Sequence, residues 1–210
     1  MILTDSKLDA VNLCLAGIGR EPVPELDTPD LDAAMAVAIV DQMNQQIQIN
    51  QGKGWWFNQE RGWKLQVNPN SGEIRVPNNA VSILEARPSN QGRGNRLTIR
   101  GSRVYDTDQH TFDLRHISDS TIEFTLVMLL PFDELPITAK QAIAWVSRRI
   151  FVGDVVGDPN QDRREAQQEA RAMQALTSEN SRSSRRNALS DNPVNQSRLQ
   201  LIGGFNNRFL

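Results

Sequence analysis

The sequence predicts an α+β fold: an antiparallel-type helical bundle of about four helices, interrupted by a β-rich insertion and followed by an extended C-terminal arm. Three observations predict it. Apolar residues at helical spacing are confined to the two ends of the chain. A block of roughly seventy residues between them alternates apolar and polar positions and is punctuated by turn residues. Bulky side chains mark the junctions: Trp55, Trp56 and Phe57 on one side, Leu130-Pro131-Phe132 with Leu135-Pro136 on the other. Helices from both ends must therefore pack together. This divides the chain into a bundle (1–54 plus 131–178), an insertion (55–130) and an arm (179–210).

The first helix is expected over about 5–18, capped by Thr4 or Asp5, with Leu8, Val11, Leu15 and Ile18 on one face. Gly17 and Gly19 end it, and GREPVPELDTPD connects it to the second. There Thr28 is the expected N-cap and Pro29 the first helical residue, with Asp30 and Asp32 suiting the positive end of the dipole. Leu31, Met35, Ile39, Met43 and Ile47 form an i, i+4 row read as core, flanked by Ala34 and Ala38. The opposite face, with Asp41, Gln42, Asn44, Gln45 and Gln48, is rich in amides and reads as solvated or as a subunit contact.

Three of the four tryptophans fall within QGKGWWFNQERGW, at Trp55, Trp56 and Trp63. Tryptophan is rarely placed in a loop without burial, so these three, Phe57 and Trp145 read as the seam between helices and sheet. The alternative is stacking on nucleic acid, for which Lys53, Arg61 and Lys64 are present but offset by Glu60. About six strands are expected in the middle: 63–67 with 73–76 as its hairpin partner, then 81–86, 96–100, 103–105 and 121–130. The last, TIEFTLVMLL, alternates and then becomes continuously apolar, as a strand entering a core does. Gly92 and Gly94 belong to a hairpin tip and do not form a phosphate-binding loop.

The third helix is expected over about 136–152, with Arg148 and Arg149 near its C-terminal end. A fourth starts at Asp158-Pro159 and carries a thin stripe of Ala166, Ala170, Met173 and Leu176, so it needs a neighbour from its own chain or another subunit. From about Thr177 the sequence turns polar and Ser/Asn/Arg-rich, and reads as an extended arm. The arm holds Arg185, Arg186 and Arg198 and finishes with Leu199, Leu201, Ile202, Phe205 and Phe209. A polar linker with an apolar tip is a docking signature; the other reading folds the tail back onto its own bundle.

Composition narrows the function. With 210 residues and 39% hydrophobic content, the chain can build one or two cores. A net charge of -2 does not suggest a whole-molecule nucleic-acid footprint. The single cysteine, Cys14, excludes an internal disulfide and reads as a small buried hydrophobe. No apolar run is long enough for a transmembrane helix, and MILTDSKLDAVN has acids where a signal peptide needs bases. A reducing, aqueous compartment, or an assembly built there, is expected. His110 and His116 lack cysteine partners or an HExxH motif, so no metal is expected. No nucleophile motif or Walker loop is present, and Asp133 and Glu134 suit a helix N-terminus. No catalytic residue and no cofactor is expected. A dispersed enzymatic site, such as a cell-wall hydrolase, would need paired carboxylates in a cleft, which the sequence does not suggest.

Four stretches, in order, resemble a known family. They are LDAVNLCLAGIGREPVPELD; DQMNQQIQINQGKGWWFN, with an N-x-x-Q…GW-x-FN pattern; FDELPITAKQAIAWVSRRIF, with D-E-[ML]-P before an aromatic-bearing helix; and QDRREAQQEARAM. Together they resemble the tail tubular protein A family of short-tailed, T7-like bacteriophages, the head-to-tail adaptor. The resemblance covers most of 8–176; the middle block and the tail match poorly. It implies a structural virion protein, assembled in the host cytoplasm as a ring of twelve copies between the portal and a six-fold nozzle. Tail fibres attach near that junction, and genome DNA passes through the lumen without specific binding. The arm residues Arg185, Arg186, Arg198, Leu199, Leu201, Ile202, Phe205 and Phe209 are then the expected portal contact.

Overall fold

The computed structural model describes residues 4–87, 96–118 and 120–190, excepting the side chains of 184–190. Among them four helices and five strands make the chain α+β, as the sequence predicts: α1 (Lys7–Gly17), α2 (Leu31–Ile49), β1 (Gln59–Gln66), β2 (Ala80–Arg87), β3 (Leu97–Arg100), β4 (Arg103–Asp106), β5 (Thr121–Met128), α3 (Ile137–Val155) and α4 (Pro159–Ser190).

The helix caps fall slightly later than expected. Ser6, not Thr4 or Asp5, caps α1, because Asp9 stands three residues on and closes a reciprocal capping box. The Ser6 N–H donates to Asp9 Oδ2 at 3.0 Å and the Asp9 N–H to Ser6 Oγ at 3.1 Å. The Ser6 backbone N–H first, and then the Ser6 hydroxyl donating to Asp9 Oδ2 at 2.8 Å, hold the Asp9 carboxyl below its ordinary value. Asp30, not Thr28, caps α2, accepting the N–H groups of Asp32 and Ala33 at 2.9 and 3.0 Å.

The buried stripe of α2 also differs. Ile39 and Met43 are core, but Leu31 is 83% exposed and Met35 38%, and Ala34 and Ala38 face outward. Ala33, Ala36 and Val40 are buried instead. The reason is geometric: each step of four residues advances about 40° past a full turn, so a five-member i, i+4 row winds around the helix. Steps of three and four must mix to stay on one face.

α3 is the hub of the bundle. It packs on α1, α2 and α4, while α2 and α4 hardly touch. The α1–α3 approach is close because position 17 is glycine: an added Cβ would lie 2.5 Å from Val152 Cγ2. α3 continues to Val155, so Arg148 and Arg149 are not terminal cations but partners for α4. α4 runs to Ser190, through the segment read from sequence as the start of the arm. Residues 191–210 lie outside the described residues.

Strand β5 is the centre of a three-stranded antiparallel sheet, β1-β5-β2. Trp63 stands opposite Phe124, and Leu65 opposite Ile122. Along β5, Ile122, Phe124 and Leu126 alternate inward, and Val127 and Met128 extend the burial, as its sequence pattern predicts. β3 and β4 form a separate hairpin. Residues 73–76 are not the hairpin partner of β1. They lie along β4: the Val104 N–H donates to Ile74 O and the Val76 N–H to Ser102 O, both at 3.0 Å. The turn after β1 has the expected bonds, Gly72 N–H to Asn68 O at 2.7 Å, but the chain leaves it toward the second sheet. The hairpin tip with Gly92 and Gly94 lies outside the described residues.

Two apolar cores result. One joins α1–α4 with Trp55, Phe132 and Leu135; the other lies inside the strands around Ile74, Leu114, Ile122, Phe124 and Leu126. Leu130 packs against both.

Candidate functional site

Among the described residues the chain crosses between the two cores around 54–58 and 129–130, and a polar clamp fixes both crossings together. Its centre is Gln48, fully buried at the end of α2. The Gln48 amide takes the Leu130 N–H on Oε1 at 2.9 Å and donates from Nε2 to Leu130 O at 2.8 Å. It also donates to Asn44 Oδ1 at 2.8 Å. One side chain thus reads the peptide on both sides of Leu130, as a neighbouring strand would. Buried Asn58 repeats the device on the first crossing. It accepts the Trp55 N–H at 2.7 Å, donates to Gln48 O at 3.0 Å, and its carbonyl takes the Met128 N–H at 2.9 Å.

The turn between α2 and Trp55 is unusual. Asn50 and Gln51 both have positive φ, 43° and 56°. Such a pair costs about 1 kcal/mol or more per residue and persists where the surroundings fix it. Asn50 Nδ2 donates to Gly54 O at 2.9 Å, and Gly54 has φ +63° with no room for a Cβ beside Val127. Nothing in the apolar periodicity exposed Gln48 and Asn58; a polar residue on a helix reads as solvated unless its partners are known.

The tryptophans divide among three places. Trp55 is buried in the bundle core and its indole N–H donates to Ile47 O. Trp56 and Phe57 pack against that core and edge-on to each other at 5.0 Å. The Trp56 N–H reaches Asn180 Oδ1 at 3.1 Å, which ties the seam to α4. Trp63 is not at the seam: it packs on the strand core and donates to Glu60 Oε2 at 2.7 Å. Trp145 is on α3 beside Arg148, whose guanidinium lies 5.3 Å from the ring centroid. The sequence grouped these five because aromatic bulk marks burial without saying in which core. Trp55 is buried, so its ring cannot serve as a stacking platform.

α4 is fastened to the bundle by charge. Arg148 donates Nε and Nη2 to the two oxygens of Glu165, both at 2.9 Å, and Nη1 to Leu13 O at 3.1 Å. This joins α1, α3 and α4 through one guanidinium. Arg149 pairs with Asp162 and Glu169 at 2.8 and 3.2 Å, which raises its already high pKa further. Gln161 Nε2 donates to Gly17 O at 2.7 Å, and Thr138 Oγ1 to Glu179 Oε2 at 2.6 Å.

His116 and Asp106 are paired within the strand region. His116 Nε2 lies 2.9 Å from Asp106 Oδ2, and its other ring nitrogen 3.0 Å from Asp113 O. Burial works to raise the Asp106 carboxyl, yet the N–H groups of Gln109 and Asp108 and the His116 ring hold it below the usual range. Among the described residues, no group of three or more His, Cys, Asp and Glu could hold a metal ion. Nor is any described helix long and apolar enough to cross a membrane.

Cys14 is fully buried, and burial pushes its thiol up to about 12. A thiol reagent at pH 8 should therefore react at least about a hundredfold slower with the native chain than with the chain in denaturant. Following the released chromophore checks this; rapid native labelling would show that α1 opens from α3.

Of the arm residues, Arg185 and Arg186 lie on the backbone of α4, while Arg198, Leu199, Leu201, Ile202, Phe205 and Phe209 lie outside the described residues. What this chain offers is two apolar bodies locked at a polar joint, with outer helices on the bundle. No curated protein matches the chain. The family model described as tail tubular protein matches residues 8–186.

Proposed function

The chain belongs to the tail tubular protein family, structural proteins of the bacteriophage tail, and from that premise we propose that it is the ring-forming head-to-tail adaptor of a virion. The ring, twelve copies by the resemblance to the tail tubular protein A type, joins the portal to the tail nozzle near the tail fibres. It lines the channel through which genome DNA leaves. It is a virion protein assembled in the host cytoplasm, with no membrane partner and no catalytic task.

The observation that carries this reading is the joint at Gln48, Asn58 and Leu130. A connector must hold two interfaces at fixed geometry while load passes between them. Here the bundle and the strands are separate cores, and among the described residues both crossings between them, at 54–58 and 129–130, are hydrogen-bonded into one network. On this reading the bundle (1–54 plus 131–178) builds the ring and the insertion (55–130) faces the nozzle or fibres. A tail with Arg185, Arg186, Arg198, Leu199, Leu201, Ile202, Phe205 and Phe209 docks into a portal groove. A channel that releases DNA should not grip phosphates, which agrees with a net charge of -2.

Truncation after Ser190 tests the docking role. The shortened chain should keep its circular dichroism spectrum and melting profile but fail to co-sediment with portal rings. Undiminished attachment would move the portal contact elsewhere.

A further inference from the structure

The charges of α4 are sorted by face. Its acids Asp162, Glu165 and Glu169 turn toward Arg148 and Arg149 of α3. Its arginines Arg163, Arg164 and Arg171 are exposed, and among the described residues none of the three has a charge partner. From Arg163 to Arg182 every exposed charged side chain is basic. At 1.5 Å per residue this face is about 28 Å long.

The outer face of α2 is apolar, and the two acids of the helix are already paired, Asp32 with Arg20 and Asp41 with Lys7. α2 contains no lysine or arginine. Leu31, Ala34, Met35 and Ala38 are exposed along it, and the small alanines allow another helix close approach. The loop leading into it exposes Glu21, Glu25 and Asp27, again without charge partners among the described residues. Because α2 and α4 pack on α3 and hardly touch, both faces are open in a single copy.

We propose that the basic outer face of α4 in one copy docks on the apolar outer face of α2, and on the acidic loop that leads into it, in the next. The inference rests on the ring reading above and names its contact. Complementary charge selects the occupant: a second copy supplies arginines for Glu21, Glu25 and Asp27 while the stem of α4 covers Leu31 and Met35. Duplex DNA would satisfy α4 but would be repelled by the acids and leave Leu31 and Met35 bare. The two faces differ, so the contact is heterologous and repeats from copy to copy, closing when the rotation between copies divides a full turn.

Charge reversal tests it on the full chain, alone and with portal rings, by native mass spectrometry and sedimentation. One variant carries Arg163→Glu, Arg164→Glu and Arg171→Glu; the other carries Glu21→Lys, Glu25→Lys and Asp27→Lys. Each should remain folded by circular dichroism and lose self-association by at least about tenfold. Mixing the two should restore rings of alternating copies, because each reversed face then meets its complement. Rings formed by either variant alone, or no rescue on mixing, would overturn the contact and leave the adaptor reading standing. If the α4 variant assembles normally and loses only salt-sensitive retention of duplex DNA, the face is a DNA contact and the proposal fails. If the unaltered chain never assembles, even on the portal, the adaptor reading falls and this contact with it.

Discussion

Replacing Arg148 with methionine should destabilise the chain by about 3–5 kcal/mol, because it leaves the carboxylate of Glu165 buried without its partner. Glu165 is 6% exposed, so water cannot take over the role of the guanidinium. The Leu13 carbonyl loses its donor at the same time. Methionine keeps much of the packing against Trp145, so the loss is electrostatic rather than a cavity. For a chain of this size the midpoint of thermal unfolding should fall by about 10 °C. The double variant Arg148→Met, Glu165→Leu should recover most of that loss, since an apolar pair needs no compensation. Calorimetry on the single and double variants decides it. A double variant as unstable as the single would show that the Leu13 bond, or packing, carries the effect.

The second large effect is expected at Gln48. In Gln48→Leu the Leu130 N–H loses its acceptor and the Leu130 carbonyl its shorter donor, leaving Asn44 at 3.4 Å. An unsatisfied buried backbone group costs about 1–3 kcal/mol, so a total of about 2–4 kcal/mol is expected. The location of the damage is more telling than its size. Both cores keep their apolar contacts, so hydrogen exchange should accelerate at Leu130, Trp55 and Met128 well before it does at Phe124 or Ile143. Exchange that rises uniformly would mean that the clamp is no more than part of a single cooperative core.

Both residues show where the sequence stopped being informative. The α+β division was legible because apolar periodicity changes from helical to alternating and back, and β5 announces its own burial by losing alternation after Leu126. Burial on α2 was half legible. Met43 and Ile39 were placed inward, but the i, i+4 row drifts, and Leu31 and Met35 emerge on the surface. Strand pairing was the weaker part. Ile74 and Val76 do face a core, at the expected spacing of two, but their neighbour is β4, some thirty residues away, and loop proximity had suggested β1.

The candidate site was less legible still. Trp55, Trp56 and Phe57 marked the joint through sheer bulk. Gln48 and Asn58, which hold it, look like any surface amides until the Leu130 peptide is brought beside them. The sequence of α4 likewise alternates acid and base with no visible bias. Only packing against Arg148 and Arg149 draws its acids inward and leaves its arginines facing out. A charge pattern becomes a surface when a partner helix chooses one face.

The adaptor role proposed for this chain requires a ring between portal and tail. Negative-stain images of the purified protein, alone and mixed with portal rings, test it most directly. Ring-shaped particles are expected, formed either by the chain alone or only when the portal is added. Monomers that ignore the portal at every concentration would contradict it.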